Sequence, residues 1–145
     1  MNNRIDQNTM TVLIALLAQT INSATTTVGK IIDTQNAEDK NFALAIDAYT
    51  SDDLTVQITE SDADDMTGET VVPAANVNGN EYNFVLAAPA ALKTYSYHLR
   101  RTMTKRFVRL QVVSADTPVY DVHATSINGS LVESEVTDKN PALQT

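Results

Sequence analysis

Strict apolar/polar alternation at a period of two residues is the feature that most constrains this chain. Leu54, Val56 and Ile58 alternate with Thr55, Gln57 and Thr59; Phe42, Leu44, Ile46 and Ala48 alternate with Ala43, Ala45, Asp47 and Tyr49. Side chains of a strand point to opposite faces in turn, so this pattern describes strands with one buried and one outer face. The run from Tyr95 to Val113 repeats it twice, in Tyr95–Leu99 and Phe107–Val113. The polar gap between those two stretches is hairpin-sized.

Further strands are predicted over 29–34, 54–60, 70–73, 82–87 and 120–127. Pro73 confines its segment to an edge, because proline donates no ladder hydrogen bond. Asn78-Gly79 reads as a turn, and Asn128-Gly129 closes the last strand. Short strands at this spacing predict an all-β antiparallel sandwich. Residues 19–129 form the expected sandwich domain. Residues 1–18 are an N-terminal arm, helical or extended: Asn8 suits an N-cap and Val12, Leu13, Leu16 and Leu17 share a helical stripe, whereas the β-branched stretch 20–28 favours extension. Residues 130–145 are polar, contain Pro141 and read as a C-terminal tail.

The 145 residues suit one domain, and an apolar fraction of 43% is enough for a core without tryptophan. The chain has no cysteine, which excludes disulfides, zinc–thiolate centres and a cysteine nucleophile. The longest apolar run, Val12–Ala18, is far short of the ~20 residues of a membrane-spanning helix. It could imitate a signal-peptide core, but Asp6 offsets Arg4 before it, and no secretion is expected.

Net charge is −8, which argues against general nucleic-acid binding. Its distribution matters more. Between Asp33 and Glu69 lie eleven acidic residues and one basic, Lys40; between Tyr82 and Ala115 lie six basic residues and no acid. The two segments are expected to face each other, within or between subunits. Arg100, Arg101, Lys105, Arg106 and Arg109, with Asp62, Asp64 and Asp65, are the candidate electrostatic contacts.

Catalytic and metal readings are weaker. The loop 60–69 offers carboxylates at alternate positions, yet Met66 and Thr67 stand where an EF-hand loop needs an oxygen ligand and a glycine. A solvated acidic loop is preferred. His98 and His123 lie in strand patterns without a second histidine at ligand spacing. No Gly-x-Ser-x-Gly occurs, and four glycines leave no phosphate-cradling loop. The expectation is a protein without catalytic residues, cofactor or metal.

Several short motifs are colinear with a known family. Ile58-Thr59-Glu60-Ser61-Asp62 followed by Thr70-Val71-Val72-Pro73-Ala74-Ala75-Asn76-Val77 resembles a "strand, Glu-Ser-Asp-Asp, then Val-Pro-x-x-x-Val" stretch. Tyr95–Leu99, Lys105-Arg106-Phe107-Val108-Arg109-Leu110 and Ile32-Asp33-Thr34-Gln35 match its later and earlier motifs. The family comprises small head or capsid decoration proteins of tailed bacteriophages. Asn36-Ala37 replaces its usual Gly-Phe, and its Gly-His-Pro-Arg-like ending is absent. The resemblance implies a jelly-roll sandwich in the virion, bound to the major capsid protein and assembled as a homo-oligomer. It implies synthesis in the bacterial cytoplasm and no membrane or specific nucleic-acid partner. A neck, tail or fibre-base component, or a carbohydrate- or ligand-binding sandwich, are the alternatives.

Overall fold

The computed structural model describes residues 11–35, 37–48, 53–79, 83–85, 93–100, 104–115 and 119–130. Eleven strands make up nearly all of it: β1 (Thr11–Ile21), β2 (Thr25–Val28), β3 (Ile32–Asp33), β4 (Ala37–Ala48), β5 (Asp53–Ser61), β6 (Thr70–Val71), β7 (Val77–Gly79), β8 (Asn83–Val85), β9 (Lys93–Arg100), β10 (Phe107–Ser114) and β11 (Tyr120–Ser130). One 3-10 turn, Ala74–Asn76, follows Pro73.

The strands form two antiparallel sheets. One runs β1-β11-β4-β9-β7. The other runs β2-β10-β5-β6, with β3 pairing β10 beside β2 and β8 pairing β5 beside β6. The chain steps from the first sheet at β1 to the second at β2 and β3, returns for β4, and crosses again for β5. After the β5–β6 pair it alternates through β9, β10 and β11. This is the connectivity of a jelly roll, and it confirms the expected all-β sandwich.

The period-two pattern sets the core. Phe42, Leu44, Ile46, Tyr97, Leu99, Val122 and Ala124 point inward from one sheet; Leu54, Val56, Ile58, Val108, Leu110 and Val112 meet them from the other, all buried. The same rule extended backward along β4 puts Lys40 on the inward side. It is fully buried, and its Nζ donates to Thr104 Oγ1.

The structure corrects three sequence expectations. Tyr95–Leu99 and Phe107–Val113 are not a hairpin: β9 pairs β4 and β7, whereas β10 pairs β2, β3 and β5 in the opposite sheet. Both stretches have one apolar face, and facing sheets bury both faces at once. The boundary drawn between residues 18 and 19 runs through β1, whose residues pair with β11 from Thr11↔Asn128 to Ile21↔Tyr120. Of the two readings of the N-terminal arm, the extended one holds over 11–18, and those residues belong to the sheet. Asn128-Gly129 does not close β11, because pairing with β1 on one side and β4 on the other keeps the chain extended to Ser130. Residues 1–10 and 131–145 lie outside the described residues.

The two sheets meet along a seam at β1. β1 is irregular there, with register shifts between Ile14 and Leu16 and between Leu16 and Gln19. The Gly29 N–H donates to Leu110 O at 2.8 Å and the Lys30 N–H to Ala15 O at 2.7 Å. A Cβ at Gly29 would collide with both carbonyl oxygens, so only glycine lets the connection thread this gap.

Candidate functional site

Of the charged residues singled out by sequence, Lys105, Arg106, Arg109 and Asp62 lie at one end of the sandwich and on the outer face of the β10–β5 sheet. Arg106 immediately precedes β10, and Asp33 ends β3. Because β3 pairs with the start of β10 (Phe107↔Asp33), the two side chains are neighbours. Arg106 Nε donates to Asp33 Oδ1 at 2.9 Å and Nη2 to Oδ2 at 2.7 Å, a two-pronged pair. Its guanidinium also lies 4.8 Å from the centroid of the Phe107 ring. The Arg106 hydrogen bond holds the Asp33 carboxyl below the usual carboxylate range and raises Arg106 in turn.

Arg109 projects from the outer face of β10, between the inward Val108 and Leu110. Its Nε donates to Glu69 Oε2 at 3.0 Å, and Nη2 donates to Glu69 Oε1. Thr59, opposite Arg109 in the ladder, adds a hydroxyl to Glu69 Oε2 at 2.7 Å. Arg109 and Thr59 together lower the Glu69 pKa against the opposing effect of burial. One register step along, Gln111 Nε2 donates to Gln57 Oε1 at 2.7 Å.

Glu69 is delivered by the loop joining β5 to β6, and the loop is held from inside. Met66 takes a left-handed φ of 65° and is nevertheless buried. Gly68 follows with φ 69°. The Met66 N–H donates to Ala63 O, the Glu69 N–H to Met66 O, and Ser61 Oγ to Thr67 O. The Thr67 N–H donates to Asp65 Oδ1 at 2.8 Å and lowers the Asp65 pKa. In the sequence Met66 stands only where a ligand oxygen is wanting; the structure makes it the loop's buried apolar anchor. Among the described residues, no group of three or more His, Asp or Glu is placed to share a metal ion.

The remaining candidates are held more loosely or lie elsewhere. Lys105 Nζ stands 3.8 Å from the exposed Asp62, while the Lys105 backbone N–H donates to Glu60 Oε2 at 2.8 Å. Asp64 is exposed. Arg100 ends β9, opposite Asp39 in β4; Arg101 lies outside the described residues. His98 Nε2 lies 3.2 Å from Asp39 Oδ1, and His123 is exposed on β11. A pocket of about 360 Å³ opens among Thr34, Gln35, Asp62, Thr104, Lys105 and Arg106. Its cations already face Asp33 and Asp62, so it offers a polar notch rather than an anion site.

Thus Lys105, Arg106 and Arg109 of the basic segment meet Asp62, Asp33 and Glu69 of the acidic one within the subunit. What sequence reasoning missed were the two acids that hold the arginines, Asp33 and Glu69, because a single acid outside the dense 62–65 run carries no distinguishing pattern.

The comparisons with known proteins concern shape. No protein-family model matches the chain, and no curated protein matches it in sequence. Among solved structures, it is similar to a chain of the T13 IBDV viral particle, with TM-score 0.54, 12% identity, 86% of this chain and 31% of that one covered. It is similar to the PBSX exported protein XepA, with TM-score 0.53, 17% identity and coverage of 83% and 37%. It is also similar to the SPBc2 prophage-derived protein YomS, with TM-score 0.50, 12% identity and coverage of 83% and 93%. The chain spans about a third of the first two and nearly all of the third. At such identities the likeness defines the class of protein by fold alone, a jelly-roll sandwich.

Proposed function

We propose that the protein is a non-enzymatic structural component of a bacteriophage virion that decorates the capsid by binding the major capsid protein. The observation that carries this reading is the jelly-roll strand order, an architecture used by viral capsid domains. The similar structures from a viral particle and from prophages lend support through their names, and the colinear motifs of the sequence point the same way. A fold does not fix a function. The state of the charged side chains adds a separate argument: Arg106 and Arg109 are engaged with Asp33 and Glu69, so they brace the subunit rather than act on a substrate.

Binding to the shell then falls to the groups left outward, Lys105, Asp62, Asp64 and Asp65. Each exposed pair contributes about 0–1 kcal/mol, and repetition over a lattice multiplies weak contacts into avidity. The test is mass spectrometry of purified particles separated into heads and tails. The protein is expected with the heads, in copy number comparable to the shell protein, and released by raised salt. Recovery only with necks or tails would replace decoration by the neck or tail reading. Absence from particles would overturn the virion role.

A further inference from the structure

Asn-Gly occurs twice, as Asn78-Gly79 and Asn128-Gly129. Both pairs lie in strands, the first in β7 and the second in β11. The dipeptide has a chemistry of its own. The backbone nitrogen of the glycine can attack the asparagine side-chain carbonyl carbon, and no Cβ on the glycine hinders the approach. A C–N bond forms, the side-chain amide bond breaks, and ammonia leaves a succinimide ring behind. Water then opens the ring at either carbonyl, giving aspartate or isoaspartate.

Ring closure turns the asparagine–glycine peptide away from the extended geometry of a strand, so each pair must first leave its ladder. The two ladders differ. Asn128 is paired on both sides, with Thr11 of β1 and Lys40 of β4. It is 9% exposed, its Nδ2 donates to Asp33 O at 3.4 Å, and its Oδ1 accepts from Ser126 Oγ at 3.3 Å. Asn78 is exposed, in a strand of three residues that, among the described residues, pairs only β9. The Val77 N–H is turned to Ala74 O, closing the preceding 3-10 turn. Bonded and non-bonded pairs alternate along an antiparallel ladder. The bonded pair is therefore Asn78–His98, and the Gly79 N–H, the attacking group, points away from β9.

We propose that Asn78 is a site of spontaneous deamidation, that the fold shields the same dipeptide at Asn128, and that isoaspartate at 78 releases β7 from its sheet. A short edge strand opens at little free energy, whereas a strand laddered on both sides opens only near global unfolding. That gap sets the relative rates. Isoaspartate carries the main chain through its Cβ, and the added carbon breaks the register that pairs Val77, Asn78 and Gly79 with Leu99, His98 and Tyr97. Either product also places a new carboxylate opposite His98, whose Nε2 already lies 3.2 Å from Asp39 Oδ1.

The inference does not depend on the virion reading, and its test needs only the purified full chain. The protein is held in mildly alkaline buffer, sampled over days and mapped by tandem mass spectrometry. Aspartate and isoaspartate should accumulate at 78 at least about tenfold faster than at 128. In urea the two sites should react at similar rates, which assigns the difference to the fold rather than to neighbouring residues. Asn78→Gln should stop the reaction there, because glutamine has to close a larger ring, and should leave the melting temperature unchanged. Hydrogen exchange at His98 should rise in the aged wild type and stay constant in the Asn78→Gln variant. Equal rates at 78 and 128 in the folded chain would overturn the proposal, as would an intact Asn78 beside a reacting urea control. Isoaspartate at 78 with unchanged exchange at His98 would overturn the release of β7.

Discussion

At the scale of single residues, stability rests on a few polar side chains whose partners are fixed by register. Arg109 is half-buried and two-pronged on Glu69, with Thr59 beneath, a geometry stronger than an ordinary surface pair. Arg109→Ala should cost about 1 kcal/mol, read as a lower urea midpoint with unchanged slope. The Glu69 and Asp33 carboxyls are both lowered in the folded state. Their contribution is therefore complete above the unfolded values near pH 4 and is lost as pH falls through the lower folded values. Acid titration of stability should show that fall, and Arg109→Ala should flatten it. Asp33 is nearly half exposed, so its share is the smaller. Met66 supplies a different kind of constraint, since a buried side chain holds a backbone that favours glycine. Met66→Ala should destabilise by about 2 kcal/mol and raise hydrogen exchange over 62–69, because the φ cost stays while the anchor is lost.

At the scale of elements, β1 and the β9–β10 crossing decide how the layers close. Among the described residues β1 pairs only β11 within its sheet, and the Gly29–Lys30 connection ties it to the opposite layer through Ala15 and Leu110. Gly29→Ala forces a methyl group onto two backbone oxygens that cannot rotate away. The expected loss is about 1–3 kcal/mol, with faster exchange along β1 and β2. The strands themselves were legible because alternation is local: β5 and β10 appear within a residue or so of their expected ends. The pairing of β9 and β10 was not legible. Two amphipathic stretches separated by a short polar link are equally consistent with a hairpin and with a crossing between sheets. Only the demand that both inner faces share one core separates those choices.

Across the whole molecule, the first described strand pairs with the last, and each sheet is assembled from strands far apart in sequence. Such long-range pairing must close large loops before any contact rewards them. Refolding from urea should accordingly be slow, in the millisecond-to-second range or longer, when followed by stopped-flow circular dichroism. A microsecond folding phase would contradict this topology. The same closure gives the sandwich two unlike outer faces, one linked by charged and amide side chains, the other with Ala43, Ala45, Ser96 and Thr125 near its middle and Asp47 and Asp121 at one end.

Composition and alternation determined by themselves that the chain is a β-sandwich with an aliphatic core, since a period of two is a property of each strand alone. Charge segregation likewise pointed to contacts such as those that Lys105, Arg106 and Arg109 make with the acidic segment. Which acid meets which base, that Lys40 is buried, that Met66 anchors the acidic loop and that β1 stands at the end of its sheet were decided by tertiary structure. Those outcomes depend on register and on which sheet each strand joins, and both are fixed only when the two layers close on one another.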